Sequence, residues 1–376
     1  MFVWVHGTEG MKMMTMMTMM TMINLNDAQA VYAADPHGML RHVAGLPDQC
    51  EAAWRDAQSV DLPDAFRSVE RVVIAGMGGS AIGGALFASL AARRGRIPIH
   101  VVRDYELPAF AGGPSTLVIA SSYSGDTEET ISAFQQAHDR GCRLLALATG
   151  GRIEEMARQF GASFMRIGYQ SHPRAALGYS FVPLLGLGSR LGWIDDQAAS
   201  LQEAVSVMRA WNEELRPESP VVKNTAKREA GQIMGRFAMV YGAGVFAEVA
   251  RRWKGQINEN GKHFAALEAL PEADHNALLG SSFPEDMAMR LKVLFLTGKA
   301  DHPRNAARAQ ITQHILMTQG CNTDLFAARG ESGLAQMLSL IQLGDWISVY
   351  LGIVNGADPS DTGLLFDFKS RMAGLT

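Results

Sequence analysis

"STLVIASSYSGDTEETISAFQQAHDRG", residues 115–141, decides the fold. Its apolar run Leu117–Ala120 is the length of a buried strand. Four small hydroxyl residues and a glycine follow, and then an amphipathic pattern that opens on two acids, Glu128 and Glu129. Strand, hydroxyl loop and helix in that order place a helix N-terminus just beyond a strand end. Such a terminus presents unpaired N–H groups and a partial positive charge. Ser122, Ser124 and Thr127 are spaced so that a curled loop turns all three inward, and Gly125 lets the backbone approach closely. This is the pattern of an anion cradle. Taken singly, Thr127 reads equally well as an ordinary N-cap.

The same order recurs on either side. "RVVIAGMGGSAIGGALFASLAARRG" (71–95) gives a strand, a glycine turn and a helix, and "IPIHVVRDY" (97–105) gives a second strand. "CRLLALATGG" (142–151), "RIEEMARQFG" (152–161) and "SFMRI" (163–167) read as strand, helix and strand. Strands alternating with helices predict a parallel sheet covered on both faces. Upstream, residues 27–60 read as helical, with Leu40, Val43, Leu46 and Trp54 on one face. Downstream, a helical stretch at 176–213 runs into "RPESP" (216–220), a linker by its prolines and charges.

Beyond the linker the unit repeats. "RFAMVYGAGVFAEVARRWKGQINENG" (236–261) and "RLKVLFLTGKADHPRNAARAQITQHILMTQGCNTDLFAA" (290–328) reproduce strand, loop and helix. Gly76 aligns with Gly242 and Cys142 with Cys321, offsets of 166 and 179 residues. The expectation is α/β: two doubly wound, flavodoxin-like parallel-sheet subdomains in tandem, at 23–215 and 221–376. "TGKADHP" (297–303) stands where the second copy would carry "SSYSGDT", so only the first copy is equipped for an anion.

Bulk properties narrow the classes. The chain has 376 residues, 47% of them hydrophobic and 19% charged, with net charge −4. That composition supports a large core and argues against a nucleic-acid footprint. Three scattered cysteines, Cys50, Cys142 and Cys321, show no disulfide or zinc spacing, as expected of a cytoplasmic protein. No membrane span is read. Residues 1–22, with the Met/Thr repeat "MKMMTMMTMMTM", read as a disordered extension or as sequence ahead of the true start.

"GMGGSAIGG" (76–84) carries the second signal. Gly78 and Gly79 leave a strand where side chains would block a ligand, and Ser80 opens the helix. Gly76, Gly78 and Ala81 also fit a dinucleotide fingerprint, with Asp104 as its ribose acid. A dinucleotide-binding oxidoreductase therefore stands as an alternative. The glycine turn and the hydroxyl loop together resemble the sugar isomerase (SIS) domain, whose hydroxyl loop cradles the phosphate of a phosphosugar. SIS domains also occur in non-catalytic phosphosugar-binding regulators, a second alternative.

"GQINENGKHFAALEALPEADHN" (255–276) holds candidates for chemistry. Moving hydrogen between adjacent sugar carbons needs one base, for which a carboxylate such as Glu259 serves. Ring opening needs a group that titrates near neutrality, as His275 can. The enediolate between the two steps needs a fixed cation, for which Arg174 in "SHPRAALGYS" (171–180) is suited.

The segments "GMGGSAIGG", "SSYSGDTEET", "HPRAALGY", "WKGQINENGK" and "EADHN" are similar to those of the bifunctional phosphoglucose/phosphomannose isomerase family, over residues 35–374. The resemblance implies an aldose–ketose isomerase acting on glucose 6-phosphate, mannose 6-phosphate and fructose 6-phosphate. It implies a cis-enediolate route with no metal and no cofactor. It implies Glu259 as base, His275 assisting ring opening from across a homodimer interface, Arg174 as the cation and Lys369 at the ring oxygen. It implies Gly78, Gly79, Ser80, Ser122, Ser124 and Thr127 around the phosphate, and Thr362 for tolerance of both C2 epimers. Two departures stand out: Asp126 replaces the family's usual Asn, and Gly255 its usual Cys.

Overall fold

Short β-branched and aliphatic runs, each closed by glycine or hydroxyl residues, set the strands of this chain, and amphipathic segments cover them. The computed structural model describes residues 23–374, so the Met/Thr repeat lies outside the described residues. The chain enters through α1 (Ala28–Ala33), α2 (Met39–Ala44) and α3 (Leu46–Ser59). The first sheet is built from β1 (Arg71–Ala75), α4 (Gly78–Ala91), β2 (Ile99–Val102), β3 (Thr116–Ser121), α5 (Glu128–Asp139), β4 (Arg143–Ala148), α6 (Gly151–Phe160) and β5 (Ser163–Arg166). Three helices follow: α7 (Leu177–Arg190), α8 (Ala198–Leu215) and α9 (Thr225–Ile233). The second sheet uses β6 (Phe237–Ala243), α10 (Val245–Glu259), β7 (Ala265–Leu270), a single turn α11 (Met287–Arg290), β8 (Leu291–Thr297), α12 (Pro303–Thr318) and β9 (Asn322–Ala327). The chain closes with α13 (Gly333–Val354) and α14 (Gly363–Ala373).

Both sheets are parallel throughout. Their strand orders are β2-β1-β3-β4-β5 and β7-β6-β8-β9. The orders superimpose strand for strand apart from β5, which has no counterpart in the second sheet among the described residues. Each order reverses beside its first strand, between β1 and β3 and between β6 and β8. At such a switch point the loops leaving the strands splay apart and open a crevice.

Two sequence expectations change in detail. The helical stretch 27–60 is three helices. Asp35 turns its carboxylate onto the N–H groups of Met39 (2.9 Å) and Leu40 (2.7 Å), and Gly38 adopts φ +74°. The local cap therefore ends one helix and starts the next, while Leu40, Val43 and Leu46 stay buried as their periodicity predicts. The stretch 176–213 breaks at Gly192, φ +74°, into α7 and α8.

One apolar core runs from α3, α4 and α7 of the first half into α10 and α13 of the second. Among the described residues α13 alone is long and apolar enough to cross a membrane, and 94% of its most apolar window is buried by the protein itself. It is the central core helix, packed against α8, α9 and α10. The segment after α8 is tied down by Lys227. Its buried ammonium donates to the carbonyls of Leu25 (2.7 Å), Pro217 (2.6 Å) and Ser219 (2.8 Å).

Candidate active site

The hydroxyl loop lies at the C-terminal edge of the first sheet, at its switch point. The Ser122 hydroxyl donates to Thr127 Oγ1 (2.9 Å) and accepts from the Gly125 N–H (3.1 Å), which curls the loop. Ser124 Oγ accepts from the Asp126 N–H (3.2 Å). Gly125 has φ +80°, and a Cβ there would lie 1.8 Å from the Gly150 carbonyl oxygen, so only glycine fits. Ser122 is buried, Thr127 half-buried and Ser124 exposed. Thr127 is the N-cap residue of α5 by position but makes no side-chain cap bond. Asp126 Oδ1 accepts from the Arg152 N–H (2.9 Å) at the start of α6. The departure from Asn thus places its charge at another helix's positive end.

The glycine turn packs beside this loop. Ser80 Oγ accepts from the Tyr123 N–H (3.0 Å), joining turn to loop. A Cβ on Gly76 would lie 2.7 Å from the Ser121 carbonyl oxygen, and one on Gly79 would lie 2.8 Å from that of Pro173. The second contact matters because Pro173–Ala175 is the one 3-10 turn that carries Arg174. Gly78 has φ +49° and open space around it. Asp104, the acid of the dinucleotide alternative, is exposed and accepts from its neighbour's N–H on Tyr105 (2.7 Å).

Arg174 comes from the first half but is clamped by the second. It is buried, at 3% exposure, with Nε donating to Asn260 Oδ1 (2.7 Å) and Nη2 to the Pro359 carbonyl (2.8 Å). Its Nη1 lies 3.7 Å from Glu259 Oε2, an ion pair just beyond hydrogen-bond reach. Burial lowers the guanidinium pKa and the Glu259 carboxylate opposes that shift. The group stays protonated at neutral pH. Asn260, fully buried, donates onward to Ser348 Oγ (3.0 Å). Arg252, paired with buried Asp345 at 2.8 Å, also donates to the Arg174 carbonyl (2.7 Å). Lys262, at φ +49°, donates to the carbonyls of Glu259, Pro359 (3.2 Å) and Asp361 (2.7 Å). Burial and the nearby Arg174 lower its pKa.

Glu259 is the last residue of α10, one-third exposed. It faces a cleft of about 310 Å³ between the two halves, lined also by Gly78, Gly79, Arg103, Lys254 and Gly255. The fold thus brings Gly78, Gly79 and Glu259 to one cleft, joins Ser80, Ser122 and Thr127 through the loop beside it, and sets Arg174 against Glu259. Gly255, the departure from the family's usual Cys, lines the cleft with open space beside it.

His275, Lys369 and Thr362 are placed differently. His275, itself exposed, ends a 3-10 turn after β7, whereas α10 ends where β7 begins. The six-residue strand separates them by roughly 20 Å. Lys369 is exposed on α14, of which no residue is buried. Thr362 is the half-buried N-cap residue of that helix. Sequence reasoning missed Asn260 and Lys262. Both lie in the quoted "WKGQINENGK", and the signal was a second Asn and a Lys flanking the candidate acid.

A doubly wound parallel sheet made twice, with a hydroxyl loop on the first copy, defines a tandem SIS-domain protein. Residues 222–372 match the model of the "Bacterial phospho-glucose isomerase C-terminal SIS domain". Two bifunctional phosphoglucose/phosphomannose isomerases are similar along most of the chain. That of Caldicellulosiruptor bescii is 39% identical over 340 residues, covering 90% of this chain and 99% of the relative. That of Aquifex aeolicus is 37% identical, covering 82% and 92%. A hypothetical protein from Thermus thermophilus has a similar solved structure, with TM-score 0.70, 18% identity and coverage of 94% and 95%. The chain belongs to the bifunctional phosphoglucose/phosphomannose isomerase family and is an enzyme. That assignment displaces both the regulator and the oxidoreductase alternatives.

Proposed function

We propose that the enzyme interconverts glucose 6-phosphate and mannose 6-phosphate with fructose 6-phosphate through a cis-enediolate. The reading is carried by one observation: the Glu259 carboxylate faces the Gly78–Gly79 cleft with the Arg174 guanidinium 3.7 Å behind it. Glu259 takes the proton from C2 of the open aldose. The electron pair left behind forms the C1–C2 double bond as the carbonyl oxygen becomes an oxyanion. The O2 hydroxyl proton passes to O1, and return of the carbon-bound proton to C1, with collapse of the resulting C2 oxyanion to a carbonyl, gives the ketose. Arg174 stabilises the developing charge, so the step needs no metal. Gly78, Gly79, Ser80, Ser122, Ser124 and Thr127 hold the phosphate, and Thr362 faces the C2 hydroxyl whose epimers both react.

The working unit in this reading is a cytoplasmic homodimer, with His275 of the partner subunit opening the sugar ring and Lys369 at the ring oxygen. Exposed Leu279 and Phe283 near His275, and exposed Leu364, Phe366 and Phe368 on α14, are apolar surfaces that a second copy would cover. The test is Glu259→Gln, assayed for fructose 6-phosphate turnover. Loss of the base is expected to lower kcat by at least about 10²-fold while phosphosugar affinity changes by a few-fold. Turnover that survives the substitution removes Glu259 from the role.

A further inference from the structure

A phosphate monoester carries between one and two negative charges at neutral pH. The hydroxyl loop contains no cation, and Glu128 and Glu129 open the helix behind it. The chain as a whole has net charge −4. The positive charge lining the cleft with Gly78 and Gly79 comes instead from Arg103, just after β2 of the first half, and from Arg251, Arg252 and Lys254 on α10 of the second.

Three of these four cations are already committed. Arg252 is locked to buried Asp345 at 2.8 Å. Arg103 and Arg251 share one carboxylate, Glu248 Oε2, at 3.8 and 2.9 Å. Lys254, half-buried, makes no ion pair or side-chain hydrogen bond among the described residues. Lys254 and Glu259 both line the cleft, five residues apart on α10, roughly 7.5 Å along the axis. That spacing is comparable to the reach of an open hexose from C2 to the phosphorus on its C6 oxygen. With C1 and C2 against Glu259, the phosphate end falls within reach of Lys254, which lines the same cleft as Gly78 and Gly79.

We infer that Lys254 binds the substrate's phosphate from the α10 side and supplies the positive charge that the hydroxyl loop lacks. This inference rests on the proposed isomerase function. It divides phosphate recognition between the halves: the loop of the first gives shape and hydrogen bonds, and the helix of the second gives charge. Arg103 and Arg251 then form a positive rim, net +1 with Glu248, that draws the anion toward Lys254.

The test compares Lys254→Gln with Lys254→Arg in the full-length enzyme. One lost charge-assisted contact raises KM for fructose 6-phosphate roughly 10- to 100-fold in Lys254→Gln, with kcat much less affected. Inhibition by inorganic phosphate weakens by a similar factor. The fall of kcat/KM with added salt becomes shallower. Lys254→Arg recovers most of the loss. Unchanged KM, phosphate inhibition and salt slope in Lys254→Gln overturn the inference, as does a loss confined to kcat. Failure of the isomerase reading looks different: the unsubstituted enzyme shows no turnover. The thermal shift given by inorganic phosphate, compared between the unsubstituted protein and Lys254→Gln, then still decides whether Lys254 holds the anion.

Discussion

Replacing Gly79 with alanine sets two opposing effects against each other at one atom. Gly79 is the second residue of α4 and its φ lies outside the left-handed region, so its backbone accepts any residue. Helix propensity alone predicts that alanine stabilises by about 1 kcal/mol. The added Cβ, however, would lie 2.8 Å from the Pro173 carbonyl oxygen, 2.9 Å from its carbon and 3.1 Å from the Arg174 nitrogen. Ordinary contact begins at 3.4 Å, so the 3-10 turn must retreat by about 0.6 Å, the difference between 3.4 and 2.8 Å. That turn is rigid, because Arg174 is clamped by Asn260 and Pro359 from the second half. Overpacking against a backbone that cannot relax costs about 1–3 kcal/mol, which outweighs the propensity gain. Gly79→Ala is therefore expected to be destabilised by about 1 kcal/mol net in urea unfolding. Arg174 should move away from the cleft, and kcat should fall by about 10-fold or more. Gly78→Ala is the control. Its Cβ meets nothing within 4 Å but its φ is +49°, so it loses about 1–2 kcal/mol to backbone strain without displacing Arg174. A Gly79→Ala enzyme that is more stable and equally active refutes the argument that this glycine exists for the close approach.

Two further predictions concern assembly and pH. If His275 acts on the partner's substrate, mixing inactive Glu259→Gln and His275→Asn subunits under exchange conditions restores about one quarter of the sites, since one site of each mixed C2 dimer is intact. No recovery places both groups in one subunit or removes His275 from the reaction. Glu229 on α9 is buried beside Lys292, 3.2 Å away, and burial pushes its carboxyl up to about 7 from 4.5 despite that cation. Between those values the folded protein keeps a proton that the unfolded chain has lost. The stability it contributes is therefore full below pH 4.5 and is lost as pH rises through about 7. The swing is at most roughly 3 kcal/mol at 1.36 kcal/mol per unit. Glu229→Gln, whose Lys292 keeps Asn322 and Asp324 as partners, should flatten the melting-temperature profile from pH 5 to 8; an unchanged slope assigns it to other groups.

Most strands were legible, β7 (Ala265–Leu270) excepted, because a parallel strand buried on both faces writes itself as a short aliphatic run. β1, β3 and β4 each read that way. The internal repeat was visible for the same reason: Cys142 and Cys321 immediately precede β4 and β9, which hold equivalent places in the two sheets. Helix breaks were less legible. Periodicity continues through Asp35–Gly38, where a side-chain cap and one left-handed glycine restart the helix without interrupting the buried face. Within the candidate site, Glu259 and Arg174 stood out through their local segments. What holds them did not. Asn260 meets Arg174 across 86 residues and Lys262 meets Asp361 across 99, and no spacing rule reaches that far. The cleft's cations were also invisible, because Arg103 and Lys254 lie on different halves and meet only in the folded chain.

The unequal equipment of the two copies has a physical reason in the second switch point. There the loop "TGKADHP" satisfies its own backbone. Asp301 Oδ2 accepts from the Gly298 N–H (3.3 Å) and the Thr297 hydroxyl (3.1 Å), and Gln336 Oε1 accepts from the Ala300 N–H (2.8 Å). Arg93, just beyond α4 of the first half, donates to the Ala300 carbonyl, and its Nη2 lies 2.9 Å from where a Cβ of Gly244 would stand. Donors that would meet an anion in the first crevice are thus occupied by side chains in the second. α10 begins beside this loop and runs roughly 22 Å to end at Glu259 in the cleft with the other half. With the proposed base on that helix and the proposed phosphate loop on the first sheet, neither half by itself contains both ends of the substrate.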